Sequence, residues 1–145
     1  MGYTIAIACD HGGYELKAGL CKFLEAKGHT LINLGVDGPD SVDYPDKAHA
    51  LAAEILHGHA AFGILICGTG IGISIAANRH VGIRAALCTD SYMAKMAREH
   101  NDANVLCMGG RIVGPALAED IVSAFLSGEF QGDRHIRRIA KIEIQ

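Results

Sequence analysis

The sequence predicts an α/β fold, a doubly wound three-layer sandwich in which helices cover both faces of a five-stranded parallel sheet. Short apolar runs, each of a length that suits a buried strand, alternate along the chain with longer segments whose apolar residues recur at helical spacing. Such alternation is typical of parallel sheets. The 145 residues contain no linker, repeat or low-complexity tract, so we expect a single domain over 1–145.

Each element has its own local signal. Apolar, partly β-branched runs predict five strands, at 3–8, 30–36, 64–67, 82–88 and 105–108. Helical spacing predicts helices at 14–27, 43–57, from 71 onward, at 92–99, 115–128 and in the tail 133–145. Pro45 and Pro115 suit the first turns of the helices 43–57 and 115–128. Gly28 and Gly128 suit the ends of the helices 14–27 and 115–128.

The order of the strands decides which loops meet. Right-handed crossovers leave few topologies, and among them we expect the flavodoxin-like order 2-1-3-4-5. Ligands of such sheets bind at the switch point between strands one and three, beyond the carboxyl ends of the strands. The loops that meet there are 9–13 (CDHGG) and 67–72 (CGTGIG).

The stretch 64–79 (ILICGTGIGISIAANR) is the centre of the prediction. Its three alternate glycines let main-chain N–H groups approach an anion at the start of a helix. Cys67 ends the strand beside this turn, an arrangement that favours a reactive thiolate, although a tight turn next to a buried cysteine has the same pattern. The glycines match neither a P-loop nor a dinucleotide fingerprint, so a small oxyanion or phosphosugar fits better than a nucleotide.

Composition excludes several classes of protein. A net charge of −3 argues against nucleic-acid binding, and no apolar run is long enough to cross a membrane. The N-terminus lacks the features of a secretory signal, so we expect a cytoplasmic protein. Five cysteines without a CxxC pair do not predict a disulfide framework or a zinc site. His57 and His59 lack a third ligand, so we predict no metal.

Three groups of polar residues are candidates for function. Asp10 and His11 follow the first strand, where they are either functional or a helix cap; the switch point favours function. His100 and Asn101 end a helix, and on their own they suit the helix dipole and a cap. Arginines at 134, 137 and 138 form either a solvated face or a set of guanidinium forks for a phosphate.

Four motifs in this order resemble those of the type B ribose-5-phosphate isomerases, and the resemblance covers nearly the whole chain. They are 10–13 (DHGG), 67–79 (CGTGIGISIAANR), 99–106 (EHNDANVL) and 109–111 (GGR). The wider family includes allose-6-phosphate isomerase and the subunits of galactose-6-phosphate isomerase. One added carbon changes the depth of a pocket and not its motifs, so the motifs do not choose among these sugars.

The resemblance implies interconversion of ribose 5-phosphate and ribulose 5-phosphate through an enediolate, in the pentose phosphate pathway, without metal or cofactor. Cys67 resembles the base, a position that holds Glu in one branch, and Thr69 assists it. The amides of 68–72 would stabilise the enediolate, and His100 resembles the group that opens the sugar ring. The implied substrate-binding residues are Asp10, His11, Tyr44, Gly68, Gly70, Ile71, Gly72, Asn101, Arg111, Arg134 and Arg138.

The family builds its site between two subunits, which implies a homodimer, alone or paired into a tetramer. In the tail 133–145, Ile136 and Ile139 lie at helical spacing among the arginines. Arg134 and Arg138, four residues apart, share one face of this helix. We expect the helix to dock on the partner subunit, where these two arginines complete the phosphate site.

Two other classes of function remain open. The chain could be a non-catalytic phosphosugar-binding subunit on the same fold, but the presence of Cys67, Thr69 and His100 argues against it. It could also be a cysteine-dependent redox or hydrolytic enzyme. No resolving cysteine and no Cys–His–Asn order supports that alternative.

Overall fold

The computed structural model describes residues 2–144, which form five strands and six helices. The strands are β1 (Thr4–Cys9), β2 (Thr30–Asn33), β3 (Phe62–Cys67), β4 (Ala85–Leu87) and β5 (Val105–Gly109). The helices are α1 (Tyr14–Ala26), α2 (Tyr44–Leu56), α3 (Ile71–Ala77), α4 (Ser91–Asn101), α5 (Pro115–Ser127) and α6 (Arg134–Ala140). Strand and helix alternate from β1 to α5, and the predicted fold class is confirmed.

All strand pairs are parallel, and the order in the sheet is β2-β1-β3-β5-β4. The predicted order 2-1-3-4-5 is therefore wrong in its last two positions, because β5 lies between β3 and β4. The physical reason is burial: all five residues of β5 are buried, whereas the three of β4 are half-buried and suit an edge. The switch point between β1 and β3 is unaffected.

The two faces of the sheet carry separate cores. On β1, Ile5 and Ile7 pack under α1, α4 and α5, while Ala6 and Ala8 pack under α2 and α3. This alternation follows from the two-residue period of a strand. It places Cys67, the last residue of β3, on the face covered by α2 and α3.

The C-terminal helix is shorter than the predicted tail 133–145. Of the α6 residues, His135 is the one buried in the protomer, while Ile136 is 60% exposed. The inward side of this helix faces the end of α4, and a histidine occupies it. Gln145 lies outside the described residues. Among residues 2–144, no helix is long and apolar enough to span a membrane.

Candidate active site

The turn after β3 has the backbone that the glycine spacing predicts. Gly70 adopts a left-handed conformation with φ of 81°, and α3 begins at the next residue. A Cβ at this position would lie 2.6 Å from Leu87 and 2.8 Å from the main chain of Met108. Both the dihedral angle and the close approach require glycine here.

The sulfur of Cys67 lies inside this turn, and the residue is 5% exposed. The main-chain N–H of Gly70 donates to Cys67 Sγ at 3.2 Å, so it stabilises negative charge on the sulfur. The N–H of Ile71 donates to Thr69 Oγ1 at 3.2 Å. The Thr69 hydroxyl therefore accepts from the turn and keeps its own proton for a donated bond.

The other four cysteines are poor nucleophiles. Burial raises the pKa of Cys9 and of Cys88 to about 11. Burial is also the largest cause of the raised pKa of Cys21 and of Cys107. These four side chains are thiols at neutral pH, and a thiol reacts far more slowly than a thiolate.

The loop after β1 contacts the glycine turn directly. Asp10 is 7% exposed, and its Oδ1 accepts the N–H of Gly12 at 2.8 Å. A Cβ on Gly12 would lie 2.9 Å from the nitrogen of Gly68, so the two loops touch. The helix cap considered for Asp10 is wrong, because Gly13 caps α1 and no described side chain bonds there. His11 Nδ1 accepts the N–H of Val42 at 3.4 Å.

Tyr44 and Arg111 flank the turn. A Cβ on Gly72 would lie 2.6 Å from the ring of Tyr44, and one on Gly68 would lie 3.2 Å from Arg111 Nη1. The loop after β5 is tied down as well, because Arg111 donates its main-chain N–H to the Gly68 carbonyl at 3.1 Å. His11 and Arg111 also line a cleft of about 220 Å³.

These residues form one group at the carboxyl end of the sheet, which we call the thiol half-site. Its members are Asp10, His11, Tyr44, Cys67, Gly68, Thr69, Gly70, Ile71, Gly72 and Arg111.

A second group, the histidine half-site, consists of His100, Asn101, His135 and Arg138. These four residues line a cleft of about 280 Å³ between α4 and α6. The imidazoles of His100 and His135 are stacked, with ring centroids 4.3 Å apart and planes 12° apart. Arg134 is exposed and occupies the first position of the same helix.

Within one protomer the two half-sites lie at opposite ends of the sheet. Cys67 pairs with Gly109 at the carboxyl end of β5, whereas Gly63 pairs with Val105 at its start, where α4 has just ended. Four strand residues separate these levels, a distance of about 13 Å along the sheet. The structure therefore does not bring His100 and Cys67 of one chain together.

The sequence did not point to His135, nor to the ion pairs that hold the end of α4. Asp102 has a left-handed backbone with φ of 44°. Its Oδ1 lies 3.2 Å from Arg98 Nη1, and its Oδ2 lies 3.5 Å from Arg84 Nη2. Arg84 Nε also donates to the carbonyl of Asn101 at 3.0 Å. Eighteen residues separate Arg84 from Asp102, so no local pattern could have shown this pair.

His57 and His59, which we set aside as metal ligands, are exposed. Within residues 2–144, no group of three or more His, Cys, Asp or Glu side chains is placed to hold a metal ion. All five cysteines lie in this range and are free.

Together, the parallel sheet and the amide-lined thiol turn at its switch point define an α/β enzyme for a small anionic substrate. Residues 5–142 match the family model described as Ribose/Galactose Isomerase, and the chain belongs to this family. The predicted family and the predicted enzyme class, an isomerase, are confirmed.

The chain is similar to its relatives over nearly the full length of both sequences. Ribose-5-phosphate isomerase B of Escherichia coli (strain K12) is 45% identical over 95% of this chain and 93% of its own. The structure of ribose-5-phosphate isomerase B from Clostridium thermocellum has a TM-score of 0.95 and 55% identity, covering 96% and 94% of the two chains. The D-erythrulose-4-phosphate isomerase of Pectobacterium atrosepticum is 43% identical over 96% and 92%.

Proposed function

We propose that this protein interconverts ribose 5-phosphate and ribulose 5-phosphate through an enediolate. The observation that carries the proposal is the hydrogen bond from the Gly70 N–H to the buried sulfur of Cys67, at 3.2 Å. This hydrogen bond supports the assignment of the Cys67 thiol as the base, because it lies beside main-chain donors. The names of the relatives from Escherichia coli and Clostridium thermocellum support this choice of sugar.

Isomerisation requires a base that removes a proton from the carbon next to a carbonyl and returns it to the neighbouring carbon. In the conversion of aldose to ketose, the Cys67 thiolate takes the proton from C2 and becomes a thiol, and the C1 oxygen takes up the negative charge. The thiol then returns this proton to C1, while the C2 hydroxyl gives its proton to the C1 oxygen. This leaves a carbonyl at C2 and a hydroxyl at C1 and completes the ketose. Thr69 donates its hydroxyl proton to a sugar oxygen beside these two carbons.

The enediolate needs donors that already point at its oxygens. Two amides of the turn are engaged elsewhere, because Gly70 donates to Cys67 and Ile71 donates to Thr69. This leaves the N–H groups of Gly68, Thr69 and Gly72 for the sugar oxygens. Asp10, which is 7% exposed beside the turn, binds a sugar hydroxyl.

We further propose a homodimer, alone or paired into a tetramer, whose active sites are shared between subunits. Its support is the separation of about 13 Å along the sheet between Cys67 and the level of His100 in one chain. Exposed apolar side chains lie beside each half-site. They are Ile71 and Ile75 on α3, and Val81, Ile142 and Ile144 beside β4, with exposures from 52% to 97%.

In this assembly, the histidine half-site of one subunit faces the thiol half-site of the other. His100 moves a proton from the O1 hydroxyl to the ring oxygen as the C1–O4 bond breaks, and Asn101 binds a hydroxyl. Arg134 and Arg138, in the tail 133–145 that docks on the partner, give a dianionic phosphate forked hydrogen bonds. His11 and Arg111, which line a common cleft, support the same end of the substrate.

Two alternatives concern the substrate and the activity. Allose 6-phosphate, galactose 6-phosphate or a four-carbon sugar phosphate could replace ribose 5-phosphate, since relatives in this family differ in the sugar that they are named for. A non-catalytic phosphosugar-binding subunit would have no use for a buried thiol that accepts an amide N–H. We also propose a cytoplasmic protein of the pentose phosphate pathway, since five free cysteines suit a reducing compartment.

The test is an assay of the purified protein on a panel of four-, five- and six-carbon aldose phosphates. We expect the highest kcat/KM for ribose 5-phosphate. A higher value for a six-carbon or a four-carbon substrate would replace the proposed sugar and keep the isomerase chemistry. Binding without turnover of any member of the panel would favour the non-catalytic alternative.

A further inference from the structure

His135 is a buried histidine that the mechanism above does not use. It is 5% exposed, whereas the residues before and after it on α6 are exposed. Its ring lies nearly parallel to that of His100, with planes 12° apart and centroids 4.3 Å apart. The stack is the contact through which α6 meets the end of α4 at the cleft.

The free nitrogen of this ring has no evident structural purpose. Nε2 of His135 is buried and has no hydrogen-bond partner among residues 2–144. Leaving a buried nitrogen unpaired is costly, and a leucine would fill the same space without that cost. Unpaired buried groups in native proteins often mark a functional role.

Burial and the positive charges around His135 lower its pKa. Burial is the largest cause of its lowered pKa, and the positive charges of His100, Arg134 and Arg138 lower the pKa further. Asp133 opposes them more weakly. These groups therefore disfavour a proton on His135.

We propose that His135 is a positioning residue for ring opening, whose imidazole fixes the ring plane of His100 toward the sugar. An imidazole on its own turns easily about its second side-chain torsion. Proton transfer needs a heavy-atom distance of about 2.6–3.2 Å, so such rotation would slow the step. The inference rests on the proposed function, since it concerns the sugar ring that His100 would open.

If His135 had a packing role alone, its substitution would change KM rather than kcat. If His135 did no more than tie α6 to α4, its loss would move Arg134 and Arg138 and weaken phosphate binding. The KM for ribose 5-phosphate would then rise while kcat stayed near its original value. Positioning of His100 predicts the reverse, a lower kcat with KM nearly unchanged.

Two substitutions of similar volume distinguish the effect of ring stacking from the effect of side-chain size. His135→Phe keeps a ring that can stack, and we expect its kcat within about threefold of the original. His135→Leu fills the space without a ring plane, and we expect kcat to fall about tenfold with KM within about twofold. Equal kcat values for the two variants, or a change confined to KM, would overturn the proposal.

A partial reaction identifies the affected step. Ribulose 5-phosphate has no free C5 hydroxyl to close a five-membered ring, so exchange of its C1 proton in D₂O needs the base and no ring opening. We expect His135→Leu to exchange this proton at the original rate, as measured by proton NMR, while conversion of ribose 5-phosphate falls about tenfold. Equal losses in both reactions would overturn the positioning role.

The same measurements distinguish a failure of this proposal from a failure of the proposed function. An unsubstituted protein that neither exchanges the C1 proton nor isomerises ribose 5-phosphate would refute the function, and the positioning role with it. A titration of His135 by NMR has a readout that does not depend on turnover. In His100→Asn the pKa of His135 should rise, because one of the charges that lower it is gone. An unchanged pKa would show that the two rings do not interact.

Discussion

Gly70 donates its main-chain N–H to the sulfur of Cys67 at 3.2 Å, and both residues are buried. Glycine is the residue that this position tolerates, because its φ is 81° and a Cβ would lie 2.6 Å from Leu87. The backbone of the turn therefore fixes the direction of the donor before a substrate arrives. Preorganised donors of this kind contribute more to catalysis than flexible ones.

The first prediction concerns the base. Cys67→Ala should reduce kcat for ribose 5-phosphate by at least about 10³-fold, because the substitution removes the proposed base. Circular dichroism and the urea midpoint should show a folded protein. Cys21→Ala removes a partly exposed thiol outside the site and is the matched control. Near-original turnover by Cys67→Ala would refute the assignment of the base.

Alkylation gives an independent check on that assignment. Iodoacetamide at neutral pH should modify Cys67 first and inactivate the protein, and ribose 5-phosphate should protect it. Burial raises the pKa of Cys9 and of Cys88 to about 11, so these thiols should react slowly. Inactivation that mass spectrometry traced to either of these two residues would contradict the proposed geometry.

The second prediction distinguishes two contributions of Asp102 to stability, that of its left-handed backbone and that of its carboxylate. Asp102→Ala loses the carboxylate contacts to Arg84 and Arg98 and keeps a left-handed residue, while its main-chain carbonyl still accepts from Arg84. The free energy of unfolding should therefore fall by about 2 kcal/mol. Asp102→Gly loses the same contacts, but glycine adopts a φ of 44° without strain. The decrease in its free energy of unfolding should therefore be smaller than that of Asp102→Ala by about 1 kcal/mol. Urea unfolding measures both, and equal losses would show that the backbone is not strained.

The third prediction is a dependence of stability on pH. Lys17 is buried, and its Nζ donates to Asp37 at 2.6 Å, while the Asp37 side chain is 75% exposed. This hydrogen bond is the largest cause that holds the pKa of Asp37 below its usual value of 3.8. A pKa lowered by folding contributes stability that is present above the unfolded value and is lost as the pH falls through the folded value.

The measurement compares the protein with Asp37→Asn between pH 6 and pH 2 by urea unfolding. The stability difference should be constant above the usual pKa of 3.8 and should shrink below it. Asp40→Asn, which removes an exposed carboxylate from the same loop, controls for the loss of one surface charge. A difference that grew toward acid pH would contradict the role given to Lys17.

Local signals predicted the backbone of the glycine turn, whereas contacts between residues distant in sequence were not predicted. The glycine spacing after Cys67 required a strand, a turn and a helix within ten residues, and the structure has all three. The order of β4 and β5 depends on which of the two strands is more deeply buried. The sequence does not show this, because both strands appear in it as similar apolar runs. His135 was missed because its stacking partner His100 lies on another helix, and no local apolar pattern includes it.

The last prediction tests the shared active site. Cys67→Ala lacks the proposed base and His100→Asn lacks the proposed ring-opening group, so each homodimer should be inactive on ribose 5-phosphate. In a twofold dimer built as proposed, a heterodimer of the two variants has both substitutions in one site and none in the other. Unfolding and refolding an equal mixture should therefore restore about a quarter of the original activity.

Two controls make this mixture decisive. Cys67→Ala refolded with itself should regain no activity, and so should a mixture of Cys67→Ala with the double variant Cys67→Ala/His100→Asn. Deleting 133–145 should raise KM and dissociate the proposed dimer in sedimentation, because in that dimer the tail would supply Arg134 and Arg138 to the partner. A mixture that stayed inactive while mass spectrometry showed heterodimers would place Cys67 and His100 of one chain in one site. The separation of about 13 Å along the sheet argues against that result.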